Sequence, residues 1–573
     1  MRKFLLSALA MALVLVAATA GWAQPGAGGA LKPLVTVSFS GYDEIVADVN
    51  FLGQLGGQPD LDKMLEGLIQ AKTGGQGLVG IDKSKPWGAV VQSDGAMGFP
   101  FYAFVPVTDL QAVLGLLPGV ESEDAGDGVL ELSTPGQPVF VKESNGWAFV
   151  SNEKDTLADV PADPTQQLGQ LTSNYDVAIK AHVQNVPEPL RKMFVAQLRM
   201  GAQMGMRPMP GEDADQFAIR SGMARQVIEQ FATLVEELDT FLVGLNINRE
   251  GSTVYLDVEL TAVPGSKTAQ ELAAMTIGGT NFAGFDLPGA AATLNIATKL
   301  GDSDVAQATA SITQVRNVAT AELENQGLSQ EELDLATGLL NDMLDVAKAT
   351  LEKRLADGGA VVMLKSDAFT VAAGGAIVEG DKLESVVKRL AGEIQKDDPN
   401  AAGGIQLDAE TYKNVRFHKL NVPPPDEDSK RFFGETLEIV LGINDQSAYV
   451  AFGRDAAGLL KQVIDKSQAE PNKQVPPMKL SLAATPIAQF IADTAPDGEP
   501  AKMMGDMIAQ MLSQHAGKDH ITIVSEPVEN GERMRIEIEQ GILAVIPAIA
   551  AQAAMGGGGA RPGGIGGGGE SPF

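Results

Sequence analysis

No cysteine occurs anywhere in the 573 residues, only four histidines do, and aromatic residues make up 5% of the chain. In a chain expected to be exported, the missing cysteine excludes disulfides, thiolate nucleophiles and thiolate metal ligands together, so the fold must hold by burial alone. A chain of this length with 44% hydrophobic residues can do that, because the fraction of surface removed from water rises with size. Positive charge is also scarce. Forty-three Lys and Arg face 73 Asp and Glu, a net −30, a surface that repels phosphate backbones and anionic lipids. Nucleic acid is therefore not an expected partner.

Long apolar runs are confined to the start. Arg2 and Lys3, the apolar stretch Phe4 to Ala18 and Gly21-Trp22-Ala23 before Gln24 form the three regions of a secretory signal peptide, residues 1–23. Without Arg2 and Lys3 the mature chain carries 41 basic and 73 acidic residues, or −32. No Cys follows the expected cut to take a lipid, and no later run would span a bilayer. The expectation is an exported protein, periplasmic or extracellular, without an integral membrane segment after cleavage. Residues 24–33 read as a flexible leader and 556–573 as a disordered glycine-rich tail.

Between these ends the chain repeats itself. Ser84 to Leu117 aligns without a gap on the stretch that ends at Leu390: Ser93-Asp94 fall on Ser366-Asp367, and Leu110, Val113, Leu114 and Leu117 fall on Leu383, Val386, Val387 and Leu390. Those four positions keep helical spacing. Thr108 falls on Asp381, and both side chains suit a helix N-cap. The reading is a tandem duplication, residues 34–285 and 286–555.

Strand-like alternation marks Leu34 to Ser40, Val129 to Leu132, Pro138 to Lys142, Trp147 to Ser151, Tyr175 to Val183, Phe241 to Asn248 and Thr253 to Ala262. Ala292 to Ala297, Gln446 to Phe452, Lys479 to Ala483, Ile521 to Val524 and Arg533 to Ile538 answer them in the second half. Helical spacing predicts segments at Tyr42 to Leu55, Leu61 to Ala71, Pro189 to Met204, Glu212 to Leu238, Asp302 to about Leu355 and Gly541 to Met555. Turns too short for parallel crossovers give an α+β class, two repeat units, each a mainly antiparallel sheet with packed helices.

Chemistry is harder to find. His515 and His520 stand five apart, where paired ligands on one helix stand four apart, and His418 lies between Arg416 and Lys419; solvated histidines are the expectation for all of these. Lys72-Thr73-Gly74 and the S-x-x-K stretches at Ser151 and Ser385 copy serine acyl-transfer motifs, but in the wrong chain order, and Lys72 before Gly74 reads as the end of a helix. No glycosidase-type carboxylate pair stands out among 73 acidic residues. No catalytic residue and no cofactor loop emerges. Met200, Met204, Met206 and Met209 offer soft sulfur ligands for Cu(I), and Met503, Met504, Met507 and Met511 share a helical stretch. Core packing outweighs copper, since neither group has a nearby His and Arg207 sits inside the first. Trp87 and Trp147 read as packed core at strand starts.

At Gly80-Ile81-Asp82, Lys85-Pro86-Trp87-Gly88, Val105-Pro106-Val107, Gly146 to Ser151, Pro161 to Pro164 and Asn185-Val186-Pro187 the chain resembles a family of large exported bacterial proteins of unknown function. The resemblance is strongest over residues 80–190 and implies an architecture without a catalytic residue. The functional expectation is an exported, non-catalytic protein with a structural or binding role toward an envelope or extracellular partner. A hydrolase working through carboxylates is the alternative, and a Met-rich Cu(I)-binding protein is the third.

Overall fold

The computed structural model describes residues 31–95, 98–117, 119–133, 138–208, 214–397, 403–424 and 426–556. The signal segment, most of the leader and residues 557–573 of the tail lie outside them.

The first half supplies β1 (Lys32–Phe39), β2 (Trp87–Ser93), β3 (Phe101–Pro106), β4 (Ser122–Gly126), β5 (Val129–Leu132), β6 (Val139–Ser144), β7 (Trp147–Ser151), β8 (Val177–His182), β9 (Leu238–Asn248) and β10 (Thr253–Ala262). The second supplies β11 (Gly278–Thr280), β12 (Ala292–Lys299), β13 (Leu355–Lys365), β14 (Ala368–Ala376), β15 (Ile405–Tyr412), β16 (Val415–Val422), β17 (Leu437–Asn444), β18 (Ser447–Gly453), β19 (Lys473–Val475), β20 (Met478–Ala483), β21 (His520–Val528) and β22 (Gly531–Glu539). The class is α+β, and among the described residues every strand pairing is antiparallel. From one edge the order is β4-β5-β6-β7-β3-β2-β1-β8-β9-β10, and from the other it is β15-β16-β17-β18-β14-β13-β12-β20-β21-β22.

The two runs do not form separate sheets. β10 pairs with β22 over nine residue pairs, Thr253 opposite Glu539 through Thr261 opposite Gly531, and joins all twenty strands into one sheet. Unpaired, both strands would present long open edges, which invite association with other chains. β11 and β19 form a separate two-stranded ribbon.

Turn chemistry sets the hairpins. Asp127-Gly128 and Asn145-Gly146 take positive φ at both residues, the geometry whose twist matches paired strands. Helices fill the connections: Tyr42–Leu55 and Leu61–Lys72 follow β1, and the longer Asp302–Asn325 and Gln330–Leu351 follow β12. Glu188–Gly205 and Ala214–Glu237 join β8 to β9, as Ala484–Thr494 and Pro500–Ser513 join β20 to β21. Among the described residues no helix is long and apolar enough to cross a membrane.

Each half buries aromatic side chains on one sheet face. Phe104 and Phe149 are fully buried with Trp147, Val90 and Leu168 in one cluster; Phe285 and Phe417 are fully buried with Phe282, Val440 and Leu460 in the other. Phe282 and Phe285 precede the expected boundary at residue 286, yet they pack in the second half's core. β1 also begins at Lys32, inside the expected leader. Trp147 is core, as expected; half-buried Trp87 stacks on Phe39 at 4.9 Å and donates its Nε1–H to the Ser40 carbonyl.

At the central seam Asp257 on β10 lies opposite Arg535 on β22. Asp257, with no exposed surface, accepts both guanidinium bonds at 2.8 and 2.7 Å and a third from the Tyr175 hydroxyl at 3.0 Å. Arg535 rests over the Tyr255 ring, 4.0 Å from its centroid. Gly244 permits this network, because a Cβ there would come within 2.5 Å of the Tyr175 ring. Removing one partner strands a buried charge. Arg535→Met should therefore lower the urea stability of the fold by about 3 kcal/mol, the low end for a buried pair because Arg535 keeps 30% of its side chain exposed. Asp257→Leu added to it should recover part of that loss, and an unchanged denaturation midpoint in Arg535→Met would show that the seam does not depend on the pair.

Candidate functional site

Alternation along β3 and β7 divides their side chains between two faces. Phe104, Trp147 and Phe149 enter the aromatic core, while Val105, Val107, Ala148 and Val150 point the other way. That second face is roofed by the helix Leu110–Leu114 and the residues after it. The roof is fixed by backbone contacts. Gly80 accepts bonds from the Thr108 and Asp109 N–H groups at 2.8 and 3.2 Å, and at φ +82° a Cβ there would lie 2.4 Å from the Asp109 carbonyl. The helix cap is Asp109, which accepts from Ala112 N–H at 3.0 Å. Thr108 is instead held in the approach to the helix by Gly80, and Asp381 lies inside the first turn of the helix Gly380–Asp397, paired with Arg416 at 2.8 Å. The expected caps are thus displaced at both helices.

Between roof and sheet lies a cavity of about 570 Å³. Its walls are Leu110, Val113, Leu114 and Leu117 from the roof and Val139, Val141, Ala148 and Val150 from the sheet, with Ile69 and Tyr42 at one side. Its charged groups are Asp82 and Lys85, paired at 3.0 Å. The Ser84 hydroxyl, then Lys85, holds the Asp82 carboxyl below its ordinary range.

A second cavity of about 530 Å³ lies beneath the helix Gly380–Asp397, against β14, β17 and β18. Leu383, Val386, Val387 and Leu390 line it, with Met343 from the helix Gln330–Leu351. The four residue pairs aligned in the sequence therefore line one cavity each.

Three groups of carboxylates and histidines also come together. Glu384, Asp408 and His418 share the first. Arg416 and Lys388 bind its carboxylates at 2.6 to 2.9 Å, and His418 Nδ1 accepts the Asp408 N–H at 3.2 Å. His418 is 4% exposed, not solvated as expected; burial pushes its imidazole below the ordinary value, because β16 turns it inward against Glu384. Asp519, His520 and Glu539 form the second. Asp519 caps the helix Ala484–Thr494 through Thr485 N–H at 2.7 Å, and Glu539 lies 3.1 Å from His520 Nδ1. Ser481 and His520 line a polar hollow of about 330 Å³, yet among the described residues no hydrogen bond joins them. His515 sits beyond the helix Pro500–Ser513 and His520 opens β21, so no helix carries both.

The third group is Glu44 and Asp48, one turn apart on the helix Tyr42–Leu55, with Asp176 just before β8. Asp48 is 2% and Asp176 8% exposed. Asp176 accepts Ile247 N–H at 2.7 Å, while among the described residues neither Asp48 oxygen receives a hydrogen bond, although Arg249 Nε lies 3.1 Å from Oδ1. Burial, then the Asp176 charge, pushes the Asp48 carboxyl up to about 7. The i, i+4 spacing of Glu44 and Asp48 was visible in the sequence; Asp176, far along the chain, had no signal to connect it.

The remaining motifs are structural. Lys72 ends the helix Leu61–Lys72, Ser151 donates to the Phe101 carbonyl at 2.8 Å, and Ser385 lies within a helix. Met200 is 56% exposed at the helix Glu188–Gly205 and Met206 follows that helix half-buried; the Met204 side chain and Met209 lie outside the described residues. Met511 packs beside Leu512 and Val545, while Met503 is exposed.

Asp48 gives a pH signature. Its folded-state value lies above the ordinary 3.8, so the folded protein holds an extra proton between about pH 4 and 7 and loses stability as pH rises through that window. In chelator-treated protein, Asp48→Asn should flatten that fall in denaturation curves taken at pH 5 and pH 8 and be the more stable of the two at pH 8. An unchanged slope would place the titration elsewhere.

Comparison with family models, with curated proteins and with solved structures finds no match to this chain.

Proposed function

We propose that this is an exported, non-catalytic binding protein whose two cavities each take up an apolar small molecule of acyl-chain type. The observation that carries the reading is the unfilled aliphatic volume beneath Leu110 to Leu117. The cavity is open on one side, so its aliphatic lining meets water at a cost of roughly 25 cal/mol per Å² of apolar surface left uncovered. An apolar occupant removes the cost, and both volumes fall in the range of small-molecule sites, about 300–1,000 Å³. With its charged groups paired to each other, the first cavity offers no buried polar anchor, which favours a ligand recognised by shape and apolarity.

The same reading takes the chain as two tandem units, 34–285 and 286–555. Its support is the matched strand order on either side of the β10–β22 seam and the matched roofs of the cavities. Buried Thr36 and Ser38 on β1 answer buried Thr293 and Asn295 on β12. Export rests on the amino-terminal segment and on the acidic, cysteine-free composition. Hydrolysis through carboxylates has weaker support, since the carboxylates of the two histidine-containing groups are occupied by cations, a helix start or the imidazole itself.

Titration of the mature chain with a dansyl-labelled fatty acid tests this. Saturable binding of two equivalents is expected, and Leu114→Trp or Val387→Trp, each filling one cavity, should remove one equivalent while raising the melting temperature. Absence of saturable binding, or stoichiometry untouched by both variants, overturns the reading.

A further inference from the structure

We infer that Glu44, Asp48 and Asp176 form a binding site for a hard divalent cation, of the calcium type, at the foot of the helix Tyr42–Leu55. One oxygen from each carboxylate lies within 4.8 Å of the others, close enough for a single ion to bridge all three. All three donors are oxygens. Such a set suits Ca²⁺, Mg²⁺ or Mn²⁺ and offers nothing to soft metals.

An acidic cluster alone would not carry this. Asp48 does, because its carboxylate is 2% exposed and among the described residues neither oxygen receives a hydrogen bond. Water does not reach it and no backbone N–H compensates it, an arrangement that is costly for an ionised group. The other two groups differ in how their charge is met: Glu384, whose Oε1 also lacks a hydrogen bond, is paired with both Lys388 and Arg416, and Asp519 is spent on a helix start. Among the described residues the cation that pairs with this group is Arg249, its Nε 3.1 Å from Asp48 Oδ1 and its fork paired with Glu44. One guanidinium against three carboxylates leaves two negative charges, the complement of a divalent ion.

The fold holds the donors in place. Glu44 and Asp48 share a helix face by their four-residue spacing. Asp176 is fixed from both sides, its carbonyl accepting Ser40 N–H at 2.7 Å and its Oδ2 accepting Ile247 N–H at 2.7 Å.

Isothermal titration of chelator-treated mature protein with CaCl₂ at pH 7.5 in 150 mM KCl, enough salt to screen diffuse attraction to the acidic surface, tests the site. One stoichiometric equivalent is expected, with affinity at least tenfold weaker at pH 5.5 where protons compete. Asp48→Asn should abolish it. Glu44→Gln, at an exposed position that leaves folding intact, should weaken it about tenfold, and Asp408→Asn in the other cluster should leave it unchanged. No stoichiometric binding, or Glu44→Gln and Asp48→Asn both binding as the unaltered chain does, overturns the inference; if Asp48→Asn does not fold, Glu44→Gln decides.

Discussion

The pairing of β10 with β22 is the contact on which the rest of the molecule depends. It converts two ten-strand runs into one sheet, and it does so with a buried ion pair at its middle. Asp257 spends its carboxylate on Arg535 and Tyr175. Burial and the neighbouring Asp257 charge push the Tyr175 phenol above its ordinary range, which keeps it a donor. A buried pair of this kind adds little net stability over an apolar seam but strongly penalises a slipped register, because a slip would leave each charge alone.

On either side of the seam the strands have two faces with different duties. One is filled with aromatic rings packed to full burial. The other is roofed by a short run of helix whose leucines and valines stand off from the sheet and leave a hollow. The contrast follows from side-chain size: Phe104 and Phe149 close their face, whereas Ala148 and the valines opposite the roof are too short to close theirs. In the second half Tyr449 takes the place over Gly374, where a Cβ would come within 2.4 Å of its ring, and the hollow recurs beneath Leu383 to Leu390.

The sequence was legible where a pattern repeats within a few residues. The Tyr42–Leu55 helix, β5, β7 and β10 fall at their expected bounds, since helical spacing, strict alternation and turn residues are local signals. β4 carries no such signal, because its Ser, Glu, Asp and Gly residues are poor strand formers, and pairing to β5 overrides that preference. His418 is buried against expectation for a related reason: alternation along β16 puts it on the same face as Arg416, and both turn toward Glu384 on a helix distant in the chain.

Composition and local pattern alone determined the class of the fold, the order of most elements and the four-residue pairs that line the cavities, because each depends on a side chain and its near neighbours in the chain. Tertiary structure alone decided that the closing strands join, that the roofs leave unfilled volume and that Asp176 meets Asp48. Those outcomes depend on which distant backbones share a register and on how much space the side chains between them fail to occupy, and neither quantity is written in any short stretch of residues.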